Sequence, residues 1–398
     1  VFTRFQWVML VLAFLTSLTM HLLLFAYSLL KDLIALEMQL TYAETGFVFS
    51  ISFLTLAALR IPWGFVIDKL GVRVSAGLAL TLLGLFGFLR GFAINYESLL
   101  VFQFFMGVGF AAVMPCLPKL AALLFPREKT SFPIGVSISG FAIGDVIALI
   151  GTPQLLKLLN GWRNVFQVYG AWALILTALW WFFSRKLGEG YGSKQPSQEH
   201  SDILGKDLAA LFRNRQVWLL SGLYFSACAC YDTLFIWLPS ILVEETASNS
   251  VEFITLMLPL GFFAASFVVG ALSDKFGLRK PFILFLGLVA GPAIYFTGTF
   301  REPIVWFFVF LAGFCTIGGL TLVLAIPVEL PQTRVLVGSA VGLITSFGNL
   351  GSFFMPTLVG YLRDVTGSFF WGLFSLSLLG ESMFIMGLPL TETGRKKR

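Results

Sequence analysis

Gly64-Phe-Val-Ile-Asp68-Lys69-Leu-Gly71-Val-Arg73 and Gly270-Ala-Leu-Ser-Asp274-Lys275-Phe-Gly277-Leu-Arg279-Lys280 are the two stretches on which the reading of this chain turns. Glycine, aspartate, lysine, glycine and arginine recur in them at one spacing, offset by 206 positions. The offset persists outward. Gly107 and Gly313 differ by 206, Pro126 and Pro331 by 205, Gly144-Asp145 and Gly348-Asn349 by 204, and Pro153 and Pro356 by 203. Such slow drift is what small insertions and deletions leave in a duplicated chain. Each copy of the motif connects two long apolar runs.

The composition agrees with those runs. Of 398 residues, 57% are apolar and only 12% charged, with 44 Phe and 10 Trp, and the mean hydropathy is +0.87. A water-soluble domain carries about 25% charged residues. A globular fold of this length lacks the interior to hide so much apolar surface, so a soluble enzyme and a disordered chain are both excluded. Twelve runs, from Phe5–Leu30 to Ser368–Leu390, reach the roughly 20 residues that one bilayer crossing needs. Lipid offers no partner for backbone polar groups, so the runs must be helices. The expectation is an all-α membrane protein with twelve transmembrane helices in two pseudo-symmetric six-helix bundles. The bundles are residues 1–184 and 216–398, joined by a polar cytoplasmic linker, 185–215, in which Ser201–Phe212 can form a short surface helix.

Basic residues set the orientation. With the N-terminus inside, nineteen of the 27 Lys and Arg fall in inner loops and six in outer ones, the six being Lys31, Arg90, Lys157, Arg163, Arg301 and Arg363. Both termini are therefore expected in the cytoplasm, in a multi-pass protein of the cell membrane. The pI near 9.2 then reflects loop charge, and no nucleic-acid partner is expected. Cys116, Cys228, Cys230 and Cys315 all lie in apolar runs and read as small hydrophobes.

In the repeated loop, Gly permits a tight turn and close helix approach, and Asp can face a helix N-terminus or a nearby cation. Contacts of this kind form in one arrangement of the bundles only, so they bias a conformational equilibrium. The loops thus supply candidate switch residues: Gly64, Asp68, Lys69, Gly71 and Arg73 in one copy, and Gly270, Asp274, Lys275, Gly277 and Arg279 in the other. They resemble the signature loop of the major facilitator superfamily, and the twelve runs, the linker and the repeat fit that family over almost the whole chain. Phe125-Pro126-Arg127-Glu128-Lys129 is similar to its loop after span four. Gly140-xxx-Gly144 and Gly338-xxx-Gly342 have the spacing of close helix packing, and the resemblance places them between the bundles. Two features depart from the family pattern. Gln103 stands where span four usually carries an arginine, and Phe141 follows Gly140 where many drug exporters have proline.

A charge inside a bilayer costs about 2.5–3.5 kcal/mol on insertion scales, so each one calls for a reason. Arg60 lies eight residues before Asp68 in Ala58-Leu59-Arg60-Ile61-Pro62-Trp63-Gly64. This segment resembles the nitrate/nitrite porter branch, where an arginine here contacts the anion and a second one does so from the other half. The repeat position in this chain is Ser266, so half of that clamp is missing. Arg60 can contact an anion, form an internal ion pair, or snorkel. Asp145, with Asn349 at its repeat position, can carry a proton, pair with Arg60, or contact a cationic group. Asp232 can titrate, contact substrate, or face the outer vestibule. His21 is either a proton relay or a hydrogen-bonded bridge between helices. Lys119 reads as snorkelling. Tyr27 and Tyr231 are cavity candidates, because a buried phenol wants a partner.

No HExxH helix, GxSxG elbow or Walker loop occurs in the sequence. The chain is therefore expected to be no enzyme, with no cofactor and no metal. The function expected is secondary active transport of a small solute by alternating access, as symporter or antiporter, leaning to a small inorganic or organic anion with a coupling proton. The substrate, the lipid bilayer and that proton are its expected partners, and a monomer is expected. Two alternatives stay open: an exporter of amphipathic or cationic compounds, and a transport-dead membrane sensor.

Overall fold

The computed structural model describes residues 3–125, 131–190, 211–246, 250–330 and 337–394. Pro126–Lys129, most of the linker including nearly all of Ser201–Phe212, and the surroundings of Gly338 lie outside what is described. Every regular element among the described residues is helical: α1 (Arg4–Met38), α2 (Tyr42–Leu89), α3 (Tyr96–Leu124), α4 (Ser131–Leu159), α5 (Trp162–Phe183), the short α6 (Arg185–Gly190), α7 (Arg215–Glu244), α8 (Val251–Phe276), α9 (Lys280–Phe296), α10 (Ile304–Glu329), α11 (Val337–Thr366) and α12 (Phe370–Gly387).

Local sequence explains the helix ends. Thr3 caps α1 in a reciprocal box with Gln6, and Asn95 caps α3 with Ser98, so free N–H groups at both starts are satisfied. Nine helices among the described residues are long and apolar enough to cross a bilayer. One of these, Tyr42–Phe92, runs for 51 residues, about twice the length of one crossing, and breaks its helical geometry at Gly71 (φ 78°, ψ 163°). With that helix counted as two, and with α9 and α11 added, the helices accommodate twelve crossings. Large apolar side chains such as Phe65, Phe182, Phe267 and Phe285 stand exposed along them, as a lipid-facing surface requires.

The chain divides into two compact units: unit 1 is Val1–Leu40 with Ile51–Pro196, and unit 2 is Thr41–Ser50 with Ser197–Arg398. In unit 1, α1 packs along α4 and touches α5; in unit 2, α7 packs along α11, α8 along α10, and α9 along α12. The opening turns of α2 group with unit 2. There the Asp364 carboxylate accepts the N–H groups of Tyr42 (2.9 Å) and Ala43 (2.8 Å), and the Tyr42 hydroxyl donates to Glu244 (3.1 Å).

The duplication is visible in packing. A Cβ on Gly107 would lie 2.9 Å from Ser52 Cα, and one on Gly313 would overlap the carbonyl of Leu258. Ser52 and Leu258 are themselves 206 positions apart, so the same helix pair closes on the same glycine in each unit. Gly71 and Gly277 both take positive φ, which makes the turn of each signature loop. Close approach is not what Gly64 and Gly270 provide: among the described residues nothing lies within 4 Å of a Cβ built on either. Gly140 and Gly144 close on α1 of their own unit, where a Cβ on Gly144 would sit 3.0 Å from His21 Cβ. Among the described residues nothing lies within 4 Å of a Cβ built on Gly342, and α11 instead meets α7 through Gly348 at Tyr224 and Gly351 at Phe225.

Candidate functional site

Each unit holds a buried carboxylate where its first and fifth crossing segments pack, α2 being counted as two. In unit 1, Asp145 of α4 is fully buried, and its Oδ1 lies 2.7 Å from His21 Nδ1 of α1. Its Oδ2 has no hydrogen-bond partner among the described residues. The imidazole stacks on Phe141, with ring centroids 4.4 Å apart, and keeps 20% of its side chain exposed. Gly144 lets the helices come close enough for the bond. His21 is thus the bridge between Asp145 and the less buried surroundings.

In unit 2, Ser352 Oγ of α11 donates to Asp232 Oδ2 of α7 at 2.6 Å. Tyr231, beside Asp232, sets its ring edge on Phe262. Asn349, one turn before Ser352, is buried, and its amide nitrogen has no partner among the described residues. Ser266 is half-buried and turns its hydroxyl back onto the Phe262 carbonyl at 3.0 Å, as a helical serine does. Arg60 is half-buried on α2 of unit 1. The partner seen for Asp145 is His21.

Two outer-loop assignments require correction. Arg90 and Lys31 are fully buried. Lys31 Nζ lies 2.7 Å from Asp32. Arg90 donates to Gln103 Oε1 (3.0 Å) and the Leu23 carbonyl (2.9 Å), and its guanidinium lies 4.2 Å over the Phe166 ring. Gln103 Nε2 passes the chain on to Ser52 Oγ at 3.1 Å. A guanidinium from the end of α2 therefore reaches the position on α3 where the sequence carries Gln103. Tyr27, also fully buried, lies within electrostatic reach of Arg90 and Asp32. One hint of this network is legible in the sequence, the glutamine itself; a basic residue beside a polar turn otherwise looks solvated.

The signature loops are tied down in opposite senses. Lys119 of α3 pairs with Asp68 and so does more than snorkel. In unit 2, Arg279 bonds Asp274 (2.7 Å) and Glu329 of α10 (2.9 Å). These acids hold the Arg279 guanidinium above its usual range, hydrogen bonding to Glu329 being the largest cause. Arg73 packs towards Trp181, while its carbonyl accepts the Trp180 indole N–H at 2.9 Å. Lys69 and Lys275 are exposed.

With the two loops and the paired units in view, comparison with known proteins becomes informative. The sequence profile described as Major Facilitator Superfamily matches residues 9–356. The chain belongs to that superfamily. Among curated relatives, the nitrite extrusion protein of Bacillus subtilis (strain 168) is 27% identical over 89% of this chain and 86% of its own length. The probable nitrate/nitrite antiporter NarK1 of Thermus thermophilus is 26% identical over 88% and 83%. The probable sulfoacetate transporter SauU of Cupriavidus necator is 27% identical over 86% and 84%. Among solved structures, a bacterial homologue of the human lysosomal transporter Spinster, inward-facing and unoccupied, superposes with a TM-score of 0.77 at 16% identity, covering 97% of this chain and 96% of its own. That likeness establishes the fold of this superfamily member, a multi-span membrane protein.

Proposed function

We propose that this protein is a secondary active transporter of a small anion, coupled to protons through the His21–Asp145 pair. The relatives named for nitrite, nitrate and sulfoacetate support an anion. Arg60 is the residue proposed to meet it. The observation that carries the coupling is the 2.7 Å contact between a fully buried carboxylate and a partly exposed imidazole. Imidazole changes charge near neutral pH. A proton taken up on the ring is stabilised by the carboxylate behind it, and its loss leaves a hydrogen-bonded neutral ring on the same acceptor. Loading one proton thus turns a hydrogen-bonded carboxylate with a single negative charge into a neutral ion pair, and the imidazole's hydrogen bond offsets part of the cost of holding that charge in lipid surroundings when the proton leaves.

The test uses purified protein in liposomes with nitrite as the probe. Asp145→Asn should abolish uptake driven by a pH gradient and spare nitrite exchange across the membrane. Loss of both activities together in a well-folded variant would sink the coupling role. The signature loops are proposed as the conformational switch, with both termini in the cytoplasm and the protein acting as a monomer.

A further inference from the structure

The chain's last described residues, 388–394, fold back onto unit 2. Gln216, in the first turn of α7, holds one end: its amide donates to the Pro389 carbonyl (3.4 Å), and its Oε1 accepts the Thr391 N–H (3.2 Å). The other end lies on the second signature loop. Glu392 accepts the backbone N–H groups of Arg279 (2.8 Å) and Lys280 (3.1 Å), one on each carboxylate oxygen. These are two of the free donors at the start of α9, where a negative charge is favoured. Thr393 Oγ1 donates to Glu329 Oε2 at 2.7 Å, the same carboxylate that receives the Arg279 guanidinium. Gly394 lies so close that a Cβ on it would overlap the Gly277 carbonyl.

The two loops therefore differ. In the first copy, α2 continues helical on both sides of Gly71, and Asp68 is tied to Lys119. In the second copy, the helix stops at Gly277, restarts at Lys280, and the restart is capped by a carboxylate from the chain's far end. That cap needs no sequence neighbour and is exposed to water, so its bonds are individually weak and can be broken. A strap with these contacts stabilises the loop geometry seen here, and a geometry belonging to one state biases the balance between states.

We propose that residues 388–394 form an autoinhibitory strap that clamps the second signature loop through Glu392, Thr393 and Gly394 and slows the conformational cycle. The rate effect rests on the transport reading above; the contact itself does not.

Two arms separate them, both on the full chain in lipid. Hydrogen exchange at the Arg279 and Lys280 amides should quicken about tenfold in Glu392→Gln, since the acceptor is weakened and local opening becomes easier. Gly394→Ala, which leaves the carboxylate intact but crowds Gly277, should move the same amides in the same direction. Both variants should raise nitrite turnover about twofold or more at unchanged KM, an effect on state balance and not on the site. In the opposite sense, Gln216→Cys with Thr391→Cys, joined by a short thiol cross-linker, should slow turnover until the link is cleaved. The four native cysteines are buried, so background labelling is low. Unchanged amide exchange in both variants overturns the strap. Faster exchange with wild-type turnover, or a cross-linked protein that transports at full rate, overturns the inhibition. Should the wild type move no nitrite, the anion reading fails while amide exchange still decides the contact.

Discussion

Arg90 shows what a single buried charge asks of its surroundings. Its guanidinium meets two neutral acceptors and an aromatic face, while its Nε has no hydrogen-bond partner among the described residues. Truncation to alanine strands Gln103 Oε1 and the Leu23 carbonyl and leaves a void. Each buried acceptor left unsatisfied costs about 1–3 kcal/mol, so Arg90→Ala should destabilise by roughly 3–5 kcal/mol once the cavity is added. Arg90→Met fills the space and removes the desolvated charge, so it should cost clearly less. Adding Gln103→Leu to Arg90→Met should then cost little more, because replacing both partners of that bond by apolar groups leaves neither of them unpaired, and the Ser52 hydroxyl keeps the backbone carbonyl of position 103 as its acceptor. Thermal unfolding in detergent checks the series; additive losses in the double variant would refute the network. Beyond the departure at Gln103, none of this was legible in the sequence, where Arg90 looked like one more basic residue at a turn. Asp145, His21 and Asp232 were legible as oddities because a charge or imidazole inside an apolar run stands out; their partners were not, because pairing is decided by which helices touch.

At the scale of elements, the two signature loops present one motif with two backbones. Gly277 caps α8 in the left-handed helical region (φ 63°, ψ 35°), which asparagine also visits at modest cost. Gly71 combines φ 78° with ψ 163°, a region almost closed to any residue with a Cβ. No neighbour within 4 Å crowds a Cβ at Gly71 among the described residues, so the difference is purely one of backbone strain. Gly277→Asn should therefore be tolerated, with a thermal midpoint near wild type. Gly71→Asn should lose about 1–3 kcal/mol, seen as a lower midpoint and yield. Equal tolerance at both positions would contradict the backbone assigned to Gly71. The spacing of the motif was readable because a repeat announces itself by residue identity. The opposite polarity of its anchors, Lys119 on Asp68 but Glu329 on Arg279, was not, since the anchoring residues lie outside the repeated stretch. Nor could the linker's position show that Thr41–Ser50 groups with unit 2.

For the molecule as a whole, duplication has produced two units of one design with unequal chemistry. Both bury a carboxylate where the first and fifth crossing segments meet, yet Asp145 faces an imidazole and Asp232 a hydroxyl. Only the first pair contains an imidazole, the side-chain type whose ordinary charge change falls near neutral pH. Ser352 donates its own hydrogen to Asp232 and cannot become a cation, so the second pair can orient and bind but stores charge poorly. The proposed coupling therefore places the proton in unit 1. Asp232→Asn should keep the pH dependence of nitrite uptake, because an amide oxygen still accepts from Ser352 and the His21–Asp145 pair is untouched. Asp145→Asn and His21→Gln should flatten that pH dependence, His21→Gln doing so while retaining a hydrogen bond to the carboxylate. The decisive measurement is the pH profile of the initial rate in proteoliposomes for the three variants side by side. A flattened profile for Asp232→Asn with an intact one for His21→Gln would move the coupling site to the other unit.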